Sequence, residues 1–86
     1  MLSIMDTENQ KSKIRLIGIA LFGESWMSQL ARNISKISGI KVTRHTVASW
    51  DRDDRVPQWV YPRIKEITKI RHSEITLLHA ELSKIN

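Results

Sequence analysis

The sequence predicts an all-α fold of four to five helices, and three observations predict it. Only three Gly and two Pro occur in 86 residues, too few turn-makers for a sandwich or barrel of many short strands. Apolar residues recur at steps of three and four through most of the chain, the period of a half-buried helix. Glycines follow directly on two of those periodic runs, where helices commonly stop.

The first twelve residues, Met1 to Ser12, mix Asp6, Glu8, Asn9 and Gln10 with a few apolar side chains. They lack the basic start and apolar middle of a secretory signal and read as a loose leader to a single domain over residues 13–86. Helix one follows, from Lys13 to Phe22, with Ile14, Ile17 and Leu21 as its inward stripe and Gly23 as its stop. Ser25 is placed to cap a second helix that opens at Trp26, buries Leu30, Ile34 and Ile37, and ends at Gly39. After a short connection, Thr43 is the next good N-cap. It predicts helix three over residues 44–52, with Val47 and Trp50 facing inward. Asp51, Asp53 and Asp54 then break the pattern and read as a turn. Pro57 is expected to open a short helical turn, and Pro62 the last helix, residues 62–85.

Two apolar stripes divide that last helix. Ile64, Ile67 and Ile70 suit packing on the first three helices. Ile75, Leu78, Leu82 and Ile85 follow alternating steps of three and four, the spacing of a helix–helix seam. Either a partner chain or the monomer's own body could cover them.

Composition narrows the function classes. Hydrophobic residues make up 41% and charged residues 27%, which suits a folded domain, and 86 residues suffice for one core only. With no Cys, disulfides, thiolate zinc sites and cysteine nucleophiles are excluded. His72 and His79 sit seven apart on the last helix, about 10.5 Å along its axis, too far for one metal ion. No metal site and no cofactor are expected. No nucleophile–base–acid grouping or glycine-rich phosphate loop is visible, so an enzyme has little to stand on. The longest apolar stretch, Leu16 to Phe22, is far short of the about 20 residues that cross a bilayer. An intracellular protein without a membrane partner is the expectation.

Charge points toward anions. Fourteen Lys and Arg against nine Asp and Glu leave a net charge of +5. None of the nine acids lies between Ser25 and Trp50, whereas Arg32, Lys36, Lys41, Arg44 and His45 do. A basic run free of acids suits the phosphate-facing side of a DNA-binding module, where binding releases counterions and acids would repel the backbone. A solvated basic surface without a partner has the same composition. Helix geometry favours DNA. The outward face of helix three carries side chains that read base edges. Arg44 can bond guanine bidentately, Ser49 can donate or accept, Ala48 can touch a thymine methyl, and His45 and Arg52 can reach a base or phosphate. Ser25, the amides of Trp26, Met27 and Ser28, and the side chains of Gln29, Arg32, Lys36 and Lys41 would hold the DNA backbone.

Three blocks carry a family resemblance. Phe22-Gly23-Glu24-Ser25-Trp26-Met27-Ser28-Gln29-Leu30-Ala31-Arg32 resembles the aromatic-Gly-x-x-Trp-x-x-x-Leu-Ala-Arg opening of small bacterial and phage helix-turn-helix proteins. Val42-Thr43-Arg44-His45-Thr46-Val47-Ala48-Ser49-Trp50 is similar to their Val-Ser-x-x-Thr-Val-x-x-Trp recognition helix. Arg55-Val56-Pro57-Gln58-Trp59-Val60 matches the x-hydrophobic-Pro-x-Trp that often follows. The family is that of the Cro and lambda-repressor-like DNA-binding domains, and the resemblance runs from Lys13 to about Ile70. It implies a sequence-specific regulator of transcription, a repressor acting as a homodimer on duplex DNA. Ala31 and Trp50 stand 19 positions apart, several more than the family's spacing, which places the additional residues in Ser35 to Lys41 and extends helix two by a turn. The family's glycine after the tryptophan is replaced by Asp53 or Asp54, acids against which Arg52 and Arg55 can pair. A different class remains open: a protein-interaction module, such as an antitoxin or a phage assembly adaptor of the terminase-small-subunit kind, working through the last helix.

Overall fold

The computed structural model describes residues 12–85, and among them every regular element is helical. The helices are α1 (Lys13–Phe22), α2 (Trp26–Ser38), α3 (Arg44–Asp53) and α4 (Val60–Ile85), with one 3-10 turn over Gly23–Ser25. The fold is therefore all-α, and its helices fall close to the predicted bounds. Of the leader read over residues 1–12, residues 1–11 lie outside the described residues.

Ser12, read as the end of that leader, belongs to the domain. It is buried and sits at the N-cap of α1 with extended backbone (φ −67°, ψ 154°), its Oγ accepting the Arg15 N–H at 3.1 Å. Ile14 is fully buried, and Ile17 and Leu21 pack half-buried on the core as their spacing predicts. At Gly18 the α1 backbone lies directly against the Trp26 indole of α2. A Cβ there would lie within 2.6 Å of Trp26 Cδ2 and nearer still to Cε3, so only glycine lets the indole lie against the α1 backbone.

Gly23 ends α1 with positive φ (75°), although its ψ of −144° keeps it out of the left-handed helical region expected for it. Helix α2 then buries Trp26, Leu30, Ala31 and Ile34, with Ile37 at the edge. It runs on to Ser38 before Gly39 stops it in the left-handed conformation (φ 76°, ψ 1°), where the Gly39 N–H donates to Ser35 O at 2.9 Å. The connection back to α3 is tied down by Ser35. Its hydroxyl accepts the Val42 N–H at 2.8 Å and has its one proton within reach of both Ala31 O (2.8 Å) and Val42 O (2.9 Å). Val42 is thereby held in the core.

Thr43 caps α3 as expected, its Oγ1 accepting the Thr46 N–H at 3.2 Å. Val47 and Trp50 are buried. The helix ends one residue later than its pattern suggests, at Asp53, with Asp54 in the left-handed region (φ 50°, ψ 43°). Asp54 thus takes the turn position that glycine would fill with less steric cost.

Two expectations for α4 are corrected. Pro57 opens no separate helix: Val60 N–H donates to Pro57 O at 3.0 Å in a single turn, and α4 begins at Val60, with Pro62 in the first turn where its missing N–H is not needed. Ile70 does not join the buried stripe. Val60, Ile64 and Ile67 are buried, but Ile70 is 52% exposed. Each step of three falls about 60° short of a full turn, so Ile70 has rotated off the face that Ile64 presents to the core. Every residue from Thr68 to Ile85 is exposed, a span of about 27 Å at 1.5 Å per residue. The projecting helix explains a radius of gyration of 15.3 Å, against roughly 12 Å for a compact chain of this length. Near its base Arg71 lies over the Phe22 ring, 6.0 Å from the centroid.

Candidate nucleic-acid interface

Successive helical residues advance about 100°, and with Val47 and Trp50 turned into the core, α3 must present His45, Ala48, Ser49 and Arg52 outward. Arg44 stands at the side of the first turn. Arg44, His45 and Arg52 are exposed, and Ala48 and Ser49 are partly covered. The Thr43 cap holds the first turn of this face in place, with Thr43 Oγ1 and Thr46 Oγ1 also 3.0 Å apart. Arg44, His45, Ala48 and Ser49 are thus brought together on one short rod.

Arg52 is on the same face, but it is held. Its Nε lies 3.3 Å from Asp53 Oδ1, and its Nη2 donates to Ser49 Oγ at 3.3 Å. The C-terminal half of α3 is therefore closer to neutral than its first turn. Asp53 and Asp54 deepen the contrast, lining with Ser49 and Arg55 the groove between α3 and the loop that leads to α4.

The acidic group does not form one turn, as its setting suggests. Asp51 and Asp53 are helical, and only Asp54 lies in the turn. Asp51 is rotated toward α1, and its carboxylate is nearly buried, with 8% of the side chain exposed. It accepts from Arg15 Nη2 at 2.6 Å, from Arg15 Nε at 3.1 and 3.2 Å, and from Ser12 Oγ at 2.6 Å. The Arg15 hydrogen bonds hold the Asp51 carboxyl below its ordinary value against the opposing cost of burial, with Ser12 helping, while the same contact raises the Arg15 guanidinium. This pair anchors the start of α1 to the back of α3. No sequence pattern links positions 36 apart, so local spacing carries no sign of the pair.

The residues expected to grip phosphates divide between several places. Ser25 lies in the 3-10 turn (φ −87°, ψ 24°) and its side chain makes no capping bond, contrary to expectation. The turn feeds i→i+3 bonding directly into α2, which leaves less of a free amide end at Trp26, Met27 and Ser28 than an isolated helix would show. Trp26 itself is in the core, and Met27 packs against it. Along α2, Gln29 and Lys36 share a flank and line the cleft toward α4, where Arg71 and Glu74 form the opposite wall. Ser28 and Ser35 share the other flank, on the side of the connection that Ser35 binds, and exposed Arg32 stands between the two. Exposed Lys41 lies in that connection, two residues before the α3 cap.

Ion pairing separates the cations into two groups. Arg15, Arg52, Arg63, Arg71 and Lys84 each meet a carboxylate. Among the described residues, Arg32, Lys36, Lys41 and Arg44 are exposed and in no ion pair, as are Lys13, Arg55, Lys65 and Lys69, and what sets the run from Ser25 to Trp50 apart is that it holds four such cations and no acid.

Among the described residues, no group of three His, Asp or Glu could hold a metal ion, and no helix is long and apolar enough to cross a membrane. No protein-family model matches the chain, and no curated protein and no solved structure matches it either.

Proposed function

We propose that this chain binds double-stranded DNA sequence-specifically, with α3 in the major groove, and regulates transcription as a repressor by occupying its site. One observation carries the reading: exposed cations without carboxylate partners lead up to the outward face of a short, capped helix, in a stretch that contains no acid. Arg44, His45, Ala48 and Ser49 read bases, with Arg52 joining them once released from Asp53. Lys41 and Arg32 meet phosphates beside the groove, and Lys36, with the Gln29 amide as a neutral donor beside it, extends that surface toward α4. The three blocks that resemble Cro and lambda-repressor-like proteins support the same assignment of roles. As a homodimer the protein would address half-sites about 34 Å apart, or a multiple of that.

Selection from random duplexes tests the reading, with a recovered palindrome as the expected result. In gel retardation on the selected site, Arg44→Ala should cost about 1–3 kcal/mol and relax the base preference. Lys41→Ala should weaken all duplexes evenly and lower the salt slope by about 0.9. Failure of the wild type to retard any duplex rejects the reading.

A second reading has its own observation. Ile75, Leu78, Leu82 and Ile85 are 57, 58, 58 and 73% exposed, an apolar stripe that suits a protein-interaction module such as an antitoxin or phage assembly adaptor.

A further inference from the structure

The stripe on the projecting part of α4 has a definite phase. Steps of three, four and three place Ile75 and Leu82 at a and Leu78 and Ile85 at d of a heptad. The positions beside them follow: His72 and His79 at e, Glu74 and Glu81 at g. One heptad nearer the body, Thr68 and Arg71 occupy the a and d positions, and Arg71 is engaged with Phe22 and, at 3.8 Å, with Glu74. The apolar seam therefore starts at Ile75, where α4 has left its own core.

We propose that a second copy of this chain covers the seam, with the two α4 helices parallel and in register and Glu74 of each facing the partner's His79. The inference rests on the homodimer reading and adds its orientation. Charge complementarity decides that orientation. In a parallel pair each g position meets the partner's e position five residues on, so Glu74 accepts a hydrogen bond from the partner's His79 twice over. An antiparallel pair sets like flanks together, Glu81 against the partner's Glu81, which repels, and His79 against the partner's His79, which leaves each imidazole without a carboxylate to meet. Glu74 remains open to a partner, with 63% of its side chain exposed. Ile75 at a with Leu78 at d favours two strands, whereas Leu82 at a with Ile85 at d leans toward more, so the strand number is read from the mass.

Sedimentation equilibrium of the full chain over a concentration series should give a monomer–dimer equilibrium, abolished by Leu78→Asp at unchanged helicity. A wild type that stays monomeric, or a tetramer, overturns the proposal. Because the chain contains no Cys, Leu82→Cys reports one position cleanly. In the parallel register it faces its own copy and should form a covalent dimer under mild oxidation, as should Leu78→Cys. If neither links alone while their mixture does, the helices are antiparallel. His79→Glu should weaken association about three- to tenfold, and adding Glu74→Lys should restore it; absence of rescue rejects the register. Failure here is distinct from failure of the DNA reading. A monomer that still retards its duplex loses only the pairing, and a dimer that retards none loses only the groove.

Discussion

Arg15 holds Asp51 through both of its carboxylate oxygens, Nη2 at 2.6 Å from Oδ2 and Nε at 3.1 Å from Oδ1, and so joins the first turn of α1 to the buried side of α3. The candidate recognition helix is thus carried by three attachments: its Thr43 cap, its Val47 and Trp50 core contacts, and this ion pair with Ser12 as a third member.

Asp51→Asn should cost about 1–2 kcal/mol at neutral pH, the range of a partly exposed charged hydrogen bond. The folded-state pKa of Asp51 is depressed, so its contribution is complete above the unfolded value near 3.8 and is lost as pH falls through the lower folded value. Urea unfolding of wild type and variant should therefore give a constant difference at pH 5–8 that shrinks below about pH 4. A difference that grows on acidification would contradict the assignment.

Gly18→Ala should destabilise by about 1–2 kcal/mol, the overpacking cost outweighing the roughly 1 kcal/mol by which alanine favours an ordinary helix interior over glycine. The added methyl enters the Trp26 ring, which cannot move without disturbing the rest of the core. Thermal unfolding checks this, and a raised melting temperature would mean that α1 lies farther from the indole.

Ser35→Ala removes the side-chain acceptor of the Val42 N–H. An unsatisfied, partly buried amide costs about 1–3 kcal/mol, and amide exchange at Val42 should quicken more than exchange within α2. Uniform quickening would show that the clamp has no local role.

Asp53→Asn should release Arg52 and remove one acid from the end of α3. If that face meets DNA, retardation should strengthen about three- to tenfold at low salt with a steeper salt slope. Weaker binding would place Asp53 in direct contact with a base.

Much of the fold was legible because helices are written locally. Thr43, Gly39 and the Leu30, Ile34, Ile37 stripe act on residues within one or two turns, so their roles follow from spacing. The same locality misled at Ser25, where a 3-10 turn displaced the cap, and at Pro57, where a single hydrogen bond leads straight into α4. On the candidate site, the outward set on α3 could be read from the burial of Val47 and Trp50. The engagement of Arg52 was foreseen in the nearby aspartates, whereas the role of Asp51 was not.

The helical class, the inward faces and the acid-free stretch from Ser25 to Trp50 are legible in the chain alone, since periodicity and charge order are local properties of it. Tertiary structure decided which of two neighbouring acids anchors α1 and which restrains Arg52, why Gly18 admits no side chain, and that Ile75 to Ile85 extend past the core. Those outcomes depend on how far one helix reaches along another and at what rotation they meet, and interhelical distance is set by packing across the whole core.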